Sequence, residues 1–299
     1  MNAHALELSN SLASLVESSS PGLVRIEEGR RGPATGIAWS QGIVVTVDHA
    51  IDPSGDTEIG LPDGSTIAAT LAGHDPATDV AVLRAPSPSL KPLTFGDLDG
   101  VKVGHLALAL ARPGRGVRAA LGVVSALGER WTTYAGGRID GYLQPDLGPL
   151  PGASGGPLLD LAGRVLGMNT AGLVRGATIA VPSTTLRRVV GEILSTGSAE
   201  RGYLGVTCQA VRLPGSMART AGQETGLLVF GVQPGSPAAE AGLLLGDVLV
   251  ALDGSPLTRI ASLLEHLASG AAGGRSTLRL LRAGRLDEIP VAIGTRSWS

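Results

Sequence analysis

The sequence predicts a mainly β protein built as two domains. Short apolar runs recur between turn signals from Leu23 to Met168 and again from Arg201 to Ile293, the pattern of strand-rich barrels and sandwiches. Phe, Trp and Tyr together supply only 3% of the residues, so the cores must be built from Val, Leu, Ile and Ala, which suit thin strand layers. A length of 299 residues allows two separate cores, and Gly197-Ser198-Ala199-Glu200 reads as the linker between them.

Residues 1–22 are expected to be an N-terminal helical segment, with Leu6, Leu8, Leu12, Leu15 and Val16 at roughly helical spacing and Pro21-Gly22 as the stop. The first domain then spans 23–197. Its strands are expected at Leu23–Ile26, Gly36–Trp39, Ile43–Val47, Val80–Leu83, Leu106–Ala111, Leu121–Leu127 and Val165–Met168. Between them fall Pro62-Asp63-Gly64, Gly73–Pro76, Pro113-Gly114 and Ala162-Gly163, residue types that favour turns. Residues 183–196 return to helical spacing, with Ser183 placed to cap the helix. In the second domain, 201–294, Pro237–Ala241 reads as a short helical turn closed by Gly242. Arg259–Ala268 reads as a longer helix with Leu263, Leu264 and Leu267 on one face. Thr277–Leu281 and Glu288–Ile293 flank a hairpin turn.

Composition excludes several classes. Apolar residues make up 43% and charged ones 17%, so the chain folds rather than staying disordered. The net charge is −2, and neither half has the basic excess of a phosphate-tracking surface, so nucleic acid is not expected as a partner. Cys208 is the single cysteine, which rules out an internal disulfide and reads as a buried small apolar residue. No apolar run reaches the ~18 residues of a membrane span, and Met1–Leu8 has no basic or apolar export signal. A cytoplasmic location is therefore expected, or a periplasmic or cell-envelope one if the N-terminus has been trimmed.

Three segments carry chemistry. Ser154 lies in Pro-Gly-Ala-Ser-Gly-Gly-Pro (151–157), His49 follows the apolar run Ile43–Val47, and Asp79 precedes Val80–Leu83. Serine acyl transfer needs this set: a nucleophilic oxygen, a base that takes its proton, and an anion that orients the base. The order His, Asp, Ser is that of the chymotrypsin fold and differs from the orders in subtilisins and α/β-hydrolases. Gly152 allows the N–H groups of residues 152 and 154 to converge on one point as an oxyanion hole, where each donor is worth about 3–4 kcal/mol of barrier. His4, His74, His105 and His266 are expected to be structural, and Asp75 a turn former. Asp48, beside the candidate base, is expected to point away from it by strand alternation. His74, Asp75 and Asp79 lack a fourth ligand, so no metal is expected, nor any other cofactor.

The spacing of 30 residues from His49 to Asp79 and 75 from Asp79 to Ser154, with the words around them, resembles the HtrA family of serine proteases. Gly122-Val-Val-Ser-Ala-Leu-Gly, Leu143-Gln-Pro-Asp146, Gly167-Met-Asn-Thr170 and Ile179-Ala-Val-Pro182 extend the likeness through the first domain. Gly226-Leu-Leu-Val, Gly235–Gly254 and Arg201-Gly-Tyr-Leu-Gly-Val206 resemble the family's PDZ domain. The resemblance implies a chymotrypsin-like double β-barrel followed by an α+β PDZ domain. It implies an ATP-independent serine endopeptidase that cleaves unfolded or misfolded polypeptides in quality control and stress response. It also implies C-terminal peptides bound by carboxylate at Tyr203, Leu204, Gly205 and Val206, with the helix 259–268 as the other wall of the groove. Gly148, Pro149, Gly172, Leu173 and Ile179 are the implied specificity pocket, and a homotrimer is an open assembly. Ala153 and Val47-Asp48 depart from the family's usual asparagines and alanines. The alternative from another class is a proteolytically silent PDZ-bearing chaperone or scaffold, with loops 129–141 and 148–153 gating the site.

Overall fold

The computed structural model describes residues 3–27, 32–52, 57–148, 150–196, 201–268 and 273–296. The chain divides near residue 200 into two compact units. The expected linker, 197–200, lies outside the described residues.

Helix α1 (Ala3–Ser19) ends in a single 3-10 turn at Ser20–Gly22, where Pro21 enters. Leu12, Leu15 and Val16 rest on the first core, whereas Leu6 and Leu8 stay exposed. Six strands follow: β1 (Leu23–Ile26), β2 (Ala34–Ser40), β3 (Ile43–Thr46), β4 (Thr57–Gly60), β5 (Thr66–Asp75) and β6 (Val80–Arg84). They close into an antiparallel barrel in the order β1-β2-β3-β6-β5-β4. Every residue of β3 is buried, as are Val80–Leu83 of β6, because these strands face the barrel interior on one side and packed structure on the other. Strands β4 and β5 were not singled out in the sequence, since Ala and Thr give β5 little apolar alternation.

The second set comprises β7 (Leu106–Ala111), β8 (Arg118–Gly128), β9 (Trp131–Thr132), β10 (Arg138–Ile139), β11 (Tyr142–Asp146), β12 (Pro157–Leu159), β13 (Val165–Thr170) and β14 (Ile179–Pro182). All but the β9–β10 hairpin form a six-stranded sheet, β11-β8-β7-β12-β13-β14. Its two end strands, β11 and β14, pack against each other, which curls the sheet into a second barrel. Helix α2 (Ser183–Thr196) buries Leu186, Val189, Val190 and Ile193 on the first core. Ser183 does not cap this helix with its side chain. Its hydroxyl donates to the Val165 carbonyl at 2.6 Å and ties the helix start to β13.

The second unit contains β15 (Arg201–Tyr203), β16 (Val206–Arg212), α3 (Gly215–Ala221), β17 (Thr225–Val232), α4 (Pro237–Glu240), β18 (Val248–Leu252), β19 (Ser255–Pro256), α5 (Ile260–Ala268), β20 (Arg275–Arg282), β21 (Arg285–Ala292) and β22 (Gly294–Arg296). The main sheet runs β16-β17-β18-β20-β21, with β19 on β18 and a separate β15–β22 pair. Ser236 caps α4 by accepting the Ala239 N–H. The β20–β21 hairpin turns on Ala283-Gly284, both left-handed at φ 48° and 81°, as a two-residue loop between twisted strands requires.

Candidate active site

His49 leaves the first barrel in a 3-10 turn, Asp48–Ala50, just past the end of β3. Asp79 stands immediately before β6, in the left-handed region at φ 58°. Aspartate tolerates that backbone better than most residues, and the sharp turn sends its carboxylate back toward β3. There Oδ1 accepts the His49 backbone N–H at 3.0 Å, and the His49 Nδ1 lies 2.8 Å from Oδ2 and 3.0 Å from Oδ1. With Nδ1–H donated to the carboxylate, Nε2 is left as the acceptor, the tautomer a general base needs. Asp79 is 4% exposed, so water competes little for it.

Two neighbours of this pair carried no such role in the sequence reading. The Thr170 hydroxyl, at the end of β13 and fully buried, donates a short hydrogen bond to Asp79 Oδ2, and accepts the Gly172 N–H at 2.8 Å. The signal available was the polar pair Asn169-Thr170 closing a strand that starts apolar. Gly172 lies directly over the pair: a Cβ there would stand 2.7 Å from Asp79 Oδ2 and 2.8 Å from His49 Nδ1. Gly172 was expected in the specificity pocket; here its missing side chain makes room for the His–Asp pair.

The nucleophile turn is held from both barrels. Gly152 and Gly155 are left-handed at φ 79° and 82°. The Ala153 N–H donates to Leu150 O at 3.0 Å and the Gly156 N–H to Ala153 O at 2.9 Å, while Gly155 N–H donates to Asn169 O on β13 at 2.8 Å. From the first barrel, the Thr35 N–H donates to Ser154 O at 2.9 Å. Among the described residues, the N–H groups of Gly152 and Ser154 have no hydrogen-bond partner, and Ser154 Oγ makes no hydrogen bond to His49. Hydrogen bonds between nucleophile and base are often long before substrate binds. The structure therefore joins His49 to Asp79 and brings the Ser154 turn against β2, leaving Ser154 and His49 unbonded.

The other residues of the implied specificity pocket sit in different surroundings. Pro149 lies outside the described residues. Gly148 is exposed with nothing within 4 Å of its Cβ position, Leu173 packs on the first-barrel core, and Ile179 is 1% exposed inside β14. His74 Nδ1 pairs with Asp48 Oδ1, and Asp75 accepts the Ala77 N–H and Thr78 hydroxyl as a turn former. Asp48 thus faces β5, away from His49, through the 3-10 turn rather than by strand alternation. No cluster of metal-ligating side chains occurs among the described residues.

In the second unit, Tyr203 ends β15 and Val206 opens β16, the edge strand of the main sheet. Between them the Leu204 carbonyl accepts Ala238 N–H at 2.9 Å and the Gly205 carbonyl accepts Gln233 N–H at 2.8 Å. The N–H groups of Leu204 and Gly205 have no partner among the described residues. Gly205 is left-handed at φ 80°, and a Cβ would lie 2.2 Å from that of Ser236. Val206 and Cys208 on β16 and Ile260 on α5 are half-buried against the unit's core. Of the three leucines expected on one face of α5, Leu263 and Leu267 are buried in that core and Leu264 is half-buried. Burial pushes the Cys208 thiol up to about 11.

Comparison with known proteins adds lineage to this geometry. A trypsin-like peptidase domain matches residues 34–168 and a PDZ domain matches residues 202–293. The chain is 35% identical over 263 residues to a probable periplasmic serine endoprotease DegP-like from Chlamydia trachomatis, covering 86% of this chain and 52% of that protein. It is 34% identical over 267 residues to the periplasmic pH-dependent serine endoprotease DegQ of Escherichia coli, covering 87% and 58%. The chain thus spans about half the length of the curated relatives it matches. Among solved structures, HtrA-type protease AlgW with decapeptide superposes with a TM-score of 0.73 at 26% identity, covering 96% of this chain and 99% of that one. The serine endoprotease from Yersinia pestis gives 0.73 at 25% identity, covering 95% and 97%.

Proposed function

Because the chain belongs to the HtrA family of trypsin-like serine proteases carrying a PDZ domain, we propose that it is an ATP-independent serine endopeptidase acting on unfolded or misfolded polypeptides. The observation that carries this reading is the Asp79 carboxylate gripping both the backbone N–H and Nδ1 of His49, backed by Thr170. Ser154 Oγ attacks the scissile carbonyl carbon as its proton passes to His49 Nε2. The carbonyl oxygen gains the negative charge, and the unpartnered N–H groups of Gly152 and Ser154 receive it. His49 then returns the proton to the leaving amine, and water repeats the sequence on the acyl-enzyme.

The proposed PDZ role follows from Leu204 and Gly205. Their N–H groups hold a C-terminal carboxylate while the peptide adds as a strand along the edge of β16. We place the protein in the periplasm or cell envelope, since the relatives are named periplasmic, rather than in the cytoplasm as its first residues suggested. No helix among the described residues is long and apolar enough to cross a membrane. A homotrimer rests on the resemblance alone, and mass in solution tests it.

The test is labelling of Ser154 by a fluorophosphonate together with casein hydrolysis. Ser154→Ala should abolish both, a loss on the order of 10⁶-fold in turnover, with the circular dichroism unchanged. A folded native chain that neither labels nor cleaves, with or without a PDZ-binding peptide, would favour the silent scaffold.

A further inference from the structure

We infer that Thr35, on β2 of the first barrel, is a positioning residue for the oxyanion turn; this rests on the acyl-transfer reading of that turn. Thr35 is fully buried. Its N–H donates to Ser154 O at 2.9 Å and its Oγ1 donates to Gly152 O at 2.6 Å. The same Oγ1 accepts the Arg112 backbone N–H at 2.8 Å. Since Arg112 N–H can only donate, the hydroxyl proton is committed to Gly152 O, and the rotor has one polarity.

The consequence for the turn is geometric. The Gly152 carbonyl and the Ala153 N–H belong to one peptide plane, which Thr35 holds at one end and Leu150 O at the other. The Ser154 carbonyl belongs to the plane after the nucleophile, which Thr35 N–H holds. The Ser154 N–H belongs to the plane between these two, whose carbonyl is held by Gly156 N–H. Rotation of that middle plane needs compensating rotation of its neighbours, and Thr35 resists both. The Thr35 carbonyl in turn accepts Thr46 Oγ1 at 2.7 Å, at the end of the strand that delivers His49. A single residue of the first barrel thereby ties the second-barrel turn bearing the nucleophile to the strand bearing the base.

A preorganised oxyanion donor acts on the transition state and not on substrate binding, so Thr35 should appear in kcat and not in KM. Thr35→Val keeps the shape and removes the hydroxyl. In the full chain it should slow fluorophosphonate labelling of Ser154 at least tenfold and lower kcat comparably, with KM within about twofold. Affinity for a peptide aldehyde, whose hemiacetal oxygen occupies the oxyanion position, should fall at least tenfold, while the corresponding peptide alcohol binds as before. Thr35→Ser keeps the hydroxyl and should stay within about threefold of native on every readout. If the valine chain does not fold by circular dichroism, Thr35→Ala replaces it with the same expected losses. A folded Thr35→Val or Thr35→Ala chain that labels within twofold of native overturns the inference, as does Thr35→Ser falling as far as valine. A native chain that neither labels nor binds the aldehyde sinks the acyl-transfer reading itself, a result distinct from equal labelling of native and variant.

Discussion

Replacing Thr170 with Val isolates the support behind the His–Asp pair. Valine matches threonine in shape, Thr170 is fully buried, and its hydroxyl donates to Asp79 Oδ2 while accepting the Gly172 N–H. Gly172 is exposed, so water can satisfy its freed N–H. Asp79 is 4% exposed, so its lost donor is not replaced. A hydrogen bond to a charged group contributes about 1.5–3 kcal/mol. If that loss falls wholly on the barrier, kcat drops by about 10- to 150-fold, at roughly 1.4 kcal/mol per decade. The ceiling is the ~10⁴-fold loss that follows when the orienting carboxylate itself is neutralised. KM should stay within about twofold, because Thr170 has no surface to offer a substrate. Steady-state kinetics on a chromogenic peptide, with Thr170→Ser as the variant that restores the hydroxyl, supply the assay. A folded Thr170→Val enzyme with native kcat would refute the reasoning, since Asp79 would then hold His49 without its buried partner.

Gly172→Ala should lower kcat at least tenfold, because its Cβ would sit 2.7–2.8 Å from Asp79 Oδ2 and His49 Nδ1; native turnover would show that loop 171–178 shifts freely. Gly205→Ala adds a left-handed alanine, about 1–2 kcal/mol, to a clash with Ser236 worth about 1–3 kcal/mol. It should weaken peptide binding by calorimetry and speed hydrogen exchange across 201–296, while Ser154 labelling without peptide stays native. Cys208, with its thiol pushed up to about 11 by burial, should alkylate slowly at pH 8 and faster as pH rises toward that value, because only the thiolate reacts. A bound C-terminal peptide should slow it further, as Cys208 lies on the edge strand β16; rapid alkylation at pH 7 would contradict the burial. Burial alone would raise the Asp247 carboxyl, yet Arg282 and the Leu244 N–H hold it below its ordinary range. The second unit should therefore keep this stabilisation above the usual carboxylate range and lose it as pH falls, visible as an acid-side drop in the melting temperature that Asp247→Asn removes.

The mainly β class and the strands β3, β6, β7 and β13 were legible because each is a short apolar run bounded by turn residues, a local signal. His49 and Asp79 were legible for a related reason: each flanks such a run, so the strand's position fixes where the side chain emerges. The structure added the contact between them, which depends on the β3–β6 pairing and on the left-handed turn at Asp79. Strand β5 escaped notice because Ala and Thr blur its alternation, and Leu263 and Leu267 could not be sorted between core and groove from helical spacing alone. Residues that hold another residue carried little local signal. Thr35 and Thr170 look like ordinary strand threonines, and Gly172 like an ordinary loop glycine. Their roles arise because closure of the first barrel and curling of the second bring residues 35, 79, 152 and 170 within hydrogen-bonding reach across as many as 117 positions of sequence. A local pattern records which backbone a segment prefers; which buried hydroxyl meets which carboxylate or carbonyl is decided only when the sheets close.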